Sequence, residues 1–323
     1  MIRTGFLQVG SLATKLVFNV SSHPELLAEL VGARIKTAST RSADAEITFF
    51  QPKGSEWTTP AHLPDDGILL EGPPAAPQIH TETVSAYLAL DERPLRIGIA
   101  VRQHELPPHL LRVYLTVVFL KMLLLLNRVG FHGAAVKFAD QVNVFLGDKG
   151  CGKSTVSLAL AKAGGTVLGE DHVMVHRSPE AFLVSGCDET SRVTAKTEQF
   201  IFAQPLSQEP QDVGGVPKKE FPRREYFRSE PYRDFRADRL FFNRVGPAFR
   251  ISPLSRREVL LRLIKLTSPP NRFVDAADQA RYLDYFSALV QQVDGFDLVL
   301  SDDLSQMDRV IEFLEYESSV RNQ

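Results

Sequence analysis

The chain has 323 residues, 44% of them hydrophobic, and a formal net charge of −2, enough length for about two domains and enough apolar sequence to bury a core in each. That near-balance gives no overall electrostatic case for nucleic acid or an anionic membrane surface, so partners must be argued from local features. Two cysteines, Cys151 and Cys187, exclude a disulfide framework and a cysteine-rich zinc site, and a reducing cytoplasm is the expected compartment.

Residues 1–105 alternate short apolar runs with turn signals and read as a small α/β domain. Residues 1–11 lack the apolar core of a signal peptide, so no export is expected. Strands are predicted at 16–20, 46–50, 68–70 and 96–101, and a short helix at 24–31. Residues 51–77, rich in Pro, Gly and Asp, read as loops around the third strand. His23, His62, His80, His104 and His109 are scattered without the paired spacing of metal ligands. A second domain, 106–323, opens with an apolar stretch at 110–126. Arg112 and Lys121 interrupt it, which favours a buried helix over 108–128 and no membrane span.

Residues 134–138 and 142–146, joined by the polar turn 139–141, predict a β-hairpin. It runs into Gly147-Asp148-Lys149-Gly150-Cys151-Gly152-Lys153-Ser154, which fits the phosphate-loop pattern of glycine, four variable residues, glycine, lysine and serine or threonine. A helix is predicted over 154–163, ended by Gly164-Gly165. The chemistry needs these residue types. Glycines let successive amides point at one anion, the helix start adds unpaired N–H groups, lysine reaches the β and γ phosphates, and the Ser154 hydroxyl suits Mg²⁺. Gly147 to Thr155 are therefore the nucleotide-binding candidates. Cys151 occupies a free position of the motif at a helix start, where a thiol pKa is lowered. A hairpin feeding the loop, instead of a helical crossover, predicts a mixed sheet.

One strand is predicted over 166–175, with Glu170 and Asp171 at its middle. Adjacent carboxylates there need a cation or a substrate hydroxyl to offset their burial, unless the strand has a solvated edge at that point.

The segment 132–175 resembles the catalytic core of HPr kinase/phosphorylase and its relatives, in which a His-Gly begins the hairpin, the phosphate loop follows, and an acidic pair comes after the loop helix. His132, Lys153 and Glu170-Asp171 stand in that order, with 21 residues from His132 to Lys153 and 18 more to Asp171. The resemblance implies a phosphoenolpyruvate carboxykinase-like phosphate-loop fold with a mixed β-sheet. It implies Asp171 as general base toward a serine hydroxyl and His132 as the histidine near the transferred phosphate. Lys153 and Ser154 would act on phosphate and Mg²⁺, and Glu170 would assist the metal. Thr155 stands where HPr kinases typically carry Glu, and their downstream acidic-basic-glycine signature is missing. Glu189 and Glu198 are candidate replacements as metal partners. These departures resemble the divergent HPr kinase-related group, which includes enzymes that phosphorylate serine in peptide precursors.

Further on, a strand is predicted at 182–185, then a long polar segment at 204–231. Between Lys218 and Arg250 ten basic residues face five acidic ones, a surplus that suits an acidic peptide, nucleotide phosphates or a transferring phosphoryl group, or simply a solvated face. The aromatics among them belong to no known nucleic-acid module. A strand follows at 239–243, then a turn at Gly246-Pro247. A helix to 266 is expected with Ser252 as cap and Pro253 at its first position, and another at 276–293. The run 296–303 ends in Asp302-Asp303. It reads as a last strand whose Ser301 or Asp302 caps a helix over 304–316, or as a rival metal-binding strand of an ordinary ATPase.

Taken together these features predict an ATP- and Mg²⁺-dependent kinase acting on a hydroxyl, foremost a serine of a peptide or protein, with no nucleic-acid or membrane partner. A nucleotide-dependent scaffold and a small-molecule kinase are the alternative readings, and a homo-oligomer is left open.

Overall fold

The computed structural model describes residues 122–213, 215–267 and 276–321, together with Leu120 and the backbone of eight strands between residues 3 and 101. The chain divides into two compact units, 1–126 with 269–281 and 127–268 with 282–323.

The first unit holds β1 (Arg3–Val9), β2 (Leu12–Asn19), β3 (Ile35–Lys36), β4 (Ala45–Phe50), β5 (Ile68–Glu71), β6 (Gln78–Thr81), β7 (Val84–Ala89) and β8 (Leu95–Val101). They form one sheet in the order β3-β1-β2-β4-β8-β7-β6-β5. β2, β4, β5 and β8 correspond to the four predicted strands. The helix expected at 24–31, the loops of 51–77 apart from β5, and most of the helix expected at 108–128 lie outside the described residues. Of that last helix, residues 122–125 are helical, with Met122, Leu123 and Leu124 buried. It does not run to 128. Asn127 takes a left-handed φ of 53° and Arg128 already opens a strand, because a reversal there starts the sheet of the second unit.

In the second unit β9 (Arg128–Phe138) and β10 (Gln141–Leu146) form the predicted hairpin, with Phe138 paired to Gln141. Ala139 and Asp140, at φ 48° and 59°, supply the two left-handed residues that a two-residue turn needs to match strand twist. β10 continues into the phosphate loop, and α1 (Lys153–Lys162) follows.

Where one strand was expected over 166–175 there are two, β11 (Thr166–Gly169) and β12 (His172–Arg177), laid end to end along β9. Glu170 and Asp171 form the break. Gly169 sits against Gly186 so closely that a Cβ on Gly186 would lie 1.9 Å from Leu168 O and 2.4 Å from Gly169 Cα. Only a residue without a side chain lets the two strands cross at the break.

β13 (Phe182–Gly186), β17 (Phe235–Arg236), β18 (Arg239–Val245), β19 (Arg250–Pro253) and β20 (Asp294–Leu300) complete the main sheet. Its order is β17-β13-β12-β9-β10-β18-β20-β19, with β11 also on β9. β10, β18 and β20 run parallel and their neighbours antiparallel, so the sheet is mixed and the protein α/β. A small second sheet joins β14 (Thr190–Val193), β16 (Pro217–Pro222) and β15 (Gln211–Asp212), the last two inside the stretch 204–231 that reads as polar and without strands.

One face of the main sheet packs Phe145, Phe241, Phe296, Leu298 and Leu300 against α1 and against Met307, Val310 and Leu314 of α5 (Met307–Arg321). Each fully buried side chain of this size stabilises the fold by about 1.5–3 kcal/mol. The opposite face takes α3 (Arg256–Thr267), through buried Val259 and Leu263, and α4 (Ala276–Leu289), whose Phe286 meets Phe131 while Tyr285 meets Phe182. A short α2 (Ala195–Ile201) lies beside α1.

Two caps differ from expectation. Ser252 and Pro253 close β19, and α3 instead begins at a capping box, in which Glu258 N donates to Ser255 Oγ and Ser255 N to Glu258 Oε2. At the last helix Asp303 accepts from Ser305 N, taking the role expected of Ser301 or Asp302.

Candidate active site

The loop from Gly147 to Gly152 is set at the end of β10, where Leu146 lies opposite Gly133 of β9 and Phe242 of β18. Gly147, Gly150 and Gly152 take φ of 145°, 84° and 87°. Gly150 faces open space, so its backbone angle alone calls for glycine, whereas a Cβ on Gly152 would meet Leu300 Cδ1 at 2.6 Å. α1 carries no acidic residue in its first turn, which leaves the positive end of its dipole uncompensated by side chains. Lys153 is buried. Its Nζ donates to Gly147 O and Asp148 O at 2.8 Å each and lies 3.7 Å from Cys151 Sγ. Burial raises the Cys151 thiol pKa more than Lys153 lowers it, opposite to the lowering expected from its place at the helix start. Lys149 extends from the loop to Val213 O, and the Thr155 hydroxyl meets that of Thr197 at 3.0 Å.

The break between β11 and β12 presents Asp171 on the far side of β9 from the loop, about 10 Å across at normal strand spacing. Asp171 has a left-handed φ of 59°. Its carbonyl accepts from Gly133 N at 3.2 Å and from His132 Nδ1 at 2.9 Å. The His-Gly pair and the acidic pair therefore pin one another across the β9–β12 seam. His132 is exposed by area, yet partial enclosure of its ring, and then the charge of Lys153, lower its pKa; because Nδ1 faces the Asp171 carbonyl, that nitrogen carries a proton. Lys153 on one side and Asp171 on the other both act electrostatically on His132. The Asp171 carboxylate pairs with Arg192 at 3.6 Å, and Arg192 with Glu220 at 2.6 Å.

Glu170 turns the other way. It is 2% exposed, and neither carboxylate oxygen has a hydrogen-bond partner of regular geometry, although the Ser191 and Ser157 hydroxyls and the Arg223 guanidinium all act on it. Burial dominates and pushes its pKa up to about 7. Ser157 is on α1 three residues beyond Ser154, so Glu170 sits about one helical turn behind the metal-binding candidate. Asp188 supports the bend by accepting from Glu170 N, and Arg223, fully buried, pairs with Asp188 and also donates to the backbone carbonyls of Asp188 and Thr190.

Sequence reading singled out neither Asp188 nor Arg192, and counted Arg223 only as one of ten basic residues. The one signal was Asp188 standing just past a strand that pairs with the acidic strand. The candidate metal partners lie apart: Glu198 is buried against Lys219 at 3.0 Å and accepts from Leu206 N, and Glu189 gives its carbonyl to Arg223 N. Asp302 is exposed and pairs with Lys196. Among the described residues no three His, Cys, Asp or Glu form a metal-holding group, and no helix is long and apolar enough to cross a membrane. A magnesium ion does not need such a cage, since it is commonly held by one or two protein groups plus water and phosphate oxygens. Ser154, half-exposed in the first turn of α1, offers its hydroxyl to such an ion, whereas Glu170 is enclosed against Ser157, Ser191 and Arg223 and would have to turn toward the loop to reach it.

No family model and no curated protein matches the chain. Among solved structures, that of the Hpr(Ser) kinase/phosphatase from Coxiella burnetii is similar, at 10% identity and a TM-score of 0.28, covering 60% of this chain and 94% of that one. A likeness this loose carries no inference about the activity of this chain.

Proposed function

We propose that the protein is an ATP- and Mg²⁺-dependent kinase of the HPr kinase-related type, built on a phosphoenolpyruvate carboxykinase-like phosphate-loop domain, that phosphorylates a serine hydroxyl of a peptide or protein. The observation that supports this best is the pinning of Asp171 to His132 across β9, beside the strand that carries the phosphate loop. A plain nucleotide-binding module has no need of a carboxylate held in a left-handed bend there.

ATP would supply the phosphoryl group and Mg²⁺ would neutralise its charge. The loop amides and the start of α1 hold the phosphates. Lys153 would exchange its carbonyl partners in the loop for phosphate oxygens, and Ser154 would hold the metal, with Glu170 joining it only on leaving its enclosure beside Ser157. Asp171 accepts the proton of the attacking hydroxyl at its carboxylate, after Arg192 moves toward Glu220. With Nδ1–H committed to the Asp171 carbonyl, His132 holds the bend that aims the Asp171 carboxylate, and the hydroxyl's one proton goes to that carboxylate alone. Positioning and charge neutralisation do most of the work in such a transfer.

The test is a transfer assay with γ-labelled ATP, Mg²⁺ and a serine-peptide pool, run beside nucleotide binding. Asp171→Asn should lose about 10²–10⁴-fold in transfer with nucleotide affinity kept, and Lys153→Ala should lose both. Label found only in free phosphate, at a rate indifferent to Asp171→Asn, would overturn the proposal.

A further inference from the structure

On the face of the sheet opposite α1, Asp297 of β20 is buried and held by three arginines. Arg262 Nη1 lies at 2.6 Å, Arg244 Nη2 at 3.1 Å and Arg250 Nη2 at 3.2 Å. One buried carboxylate requires one such partner. Glu258 of α3 is a second acid within electrostatic reach of Arg262 and Asp297, so the cluster carries one surplus positive charge, and the outer two guanidiniums are far from enclosed, with the Arg244 and Arg250 side chains 49% and 60% exposed. Each guanidinium has five N–H donors in a fixed fork, and those spent on Asp297 are a minority.

Two features extend this cluster. β19, which carries Arg250, is the last strand of the sheet, and among the described residues no strand pairs with its outer side. The neighbouring α3 turns outward Arg257, Lys265 and the apolar Leu261 and Ile264, of which Leu261 is 57% exposed. A free phosphate ion would engage the guanidiniums and leave Leu261 and Ile264 in water. A polypeptide segment bearing both acids and apolar residues would use the whole surface, and would bring its own charge to the arginine surplus and to Arg257 and Lys265 beside it.

We infer that the face formed by Arg244, Arg250, Arg262 and the outer side of α3 docks an acidic, partly apolar segment of a partner polypeptide. The arginine surplus supplies charge-assisted hydrogen bonds to its carboxylates, Leu261 and Ile264 receive its apolar side chains, and Asp297 holds the three guanidiniums in one plane of approach. This docking does not depend on the kinase reading, since it requires no transfer and lies on the reverse face from α1.

The experiment is fluorescence anisotropy of a labelled twelve-residue Glu/Leu peptide titrated with the full chain, against the same peptide with Gln for Glu. The acidic peptide should bind, the Gln peptide should bind at least about tenfold more weakly, and the double change Arg244→Gln with Arg250→Gln should weaken binding by a similar factor. Arg262 stays in place in that variant, so Asp297 keeps a partner. Leu261→Glu, at an exposed position outside the Asp297 cluster, should abolish binding with the thermal unfolding midpoint unchanged. Absence of binding to the acidic peptide, or equal affinity for the two peptides or for all variants, overturns the inference. Displacement of the peptide by inorganic phosphate at its own concentration overturns it too, because the site would then be one for a free anion.

Discussion

Two buried carboxylate clusters lie in the main unit with opposite charge balances. At the β11–β12 break, two acids, Glu170 and Asp188, share one enclosed arginine, Arg223; at β20 a single acid, Asp297, is gripped by three. In the first, burial wins and Glu170 is pushed up to about 7, while Asp188 is also raised. In the second, burial pushes the same way, but hydrogen bonds from Arg244, Arg262 and Arg250 outweigh it and bring Asp297 down to about 2. Both acids have almost no exposed area, but Glu170 is the more deeply enclosed, so depth and donors together leave one near neutrality at pH 7 and the other charged. The number of converging donors separates an acid held near neutrality from one held charged.

The largest effect should come from breaking the acid-rich cluster at its one cation. Arg223→Met removes the partner of Asp188 and the carbonyls' donor together, and should cost about 3–5 kcal/mol in denaturant unfolding. Protonation of Glu170 in the variant would absorb part of that loss at low pH, so the deficit should be larger at pH 8 than at pH 5.

Next comes Glu170 itself. Its folded pKa of about 7 exceeds the model-peptide 4.5, so between those values the folded chain keeps a proton that the unfolded chain has lost. Stability must then fall as pH rises from about 4.5 to about 7 and level off above, by about 3 kcal/mol for this one group. Glu170→Gln should flatten that slope and be the more stable protein at pH 8. An unfolding series that shows no difference in pH slope between the two proteins would remove the near-neutral Glu170 from the account.

The opposite cluster should respond with opposite sign. Asp297 has a depressed folded pKa, so its contribution is present above about 3.8 and lost as pH falls through about 2. Asp297→Asn should cost about 1–2 kcal/mol at pH 7, discounted for the exposure of its partners, and the cost should vanish near pH 2.

How much of this was legible in sequence follows from the range of the interactions. The hairpin, the left-handed glycines after it and α1 were readable because local rules set them: a polar turn, a glycine pattern and a run of helix formers. The split of 166–175 was not, since continuous hydrophobicity hides a break whose cause is the approach of Gly169 to Gly186 from a different strand. His132 and Asp171 were legible as candidates, but their contact, 39 residues apart in sequence, was not. Neither was the pairing of Asp188 with Arg223, or the gathering of Arg244, Arg250 and Arg262 on Asp297, because charge counts along a chain do not say which charges fold onto one another. The cap at Ser255 was legible in principle, as Ser255-Arg256-Arg257-Glu258 fits a capping box, but Ser252-Pro253 supplied a competing local signal that β19 absorbed.

The smallest effect sharpens the comparison most. Arg250→Gln takes one guanidinium from Asp297, which keeps Arg262 at 2.6 Å and Arg244 at 3.1 Å. Arg250 is more than half exposed, so its own bond is screened by water, and the net change in stability should stay within about 0.5 kcal/mol. The equivalent removal at the acid-rich cluster has no spare cation to fall back on, so the two single-arginine changes should differ several-fold when measured by the same unfolding curves. A loss of several kcal/mol from Arg250→Gln would mean that all three arginines are needed to hold Asp297, and the positive surplus on that face would then be structural rather than available to a partner.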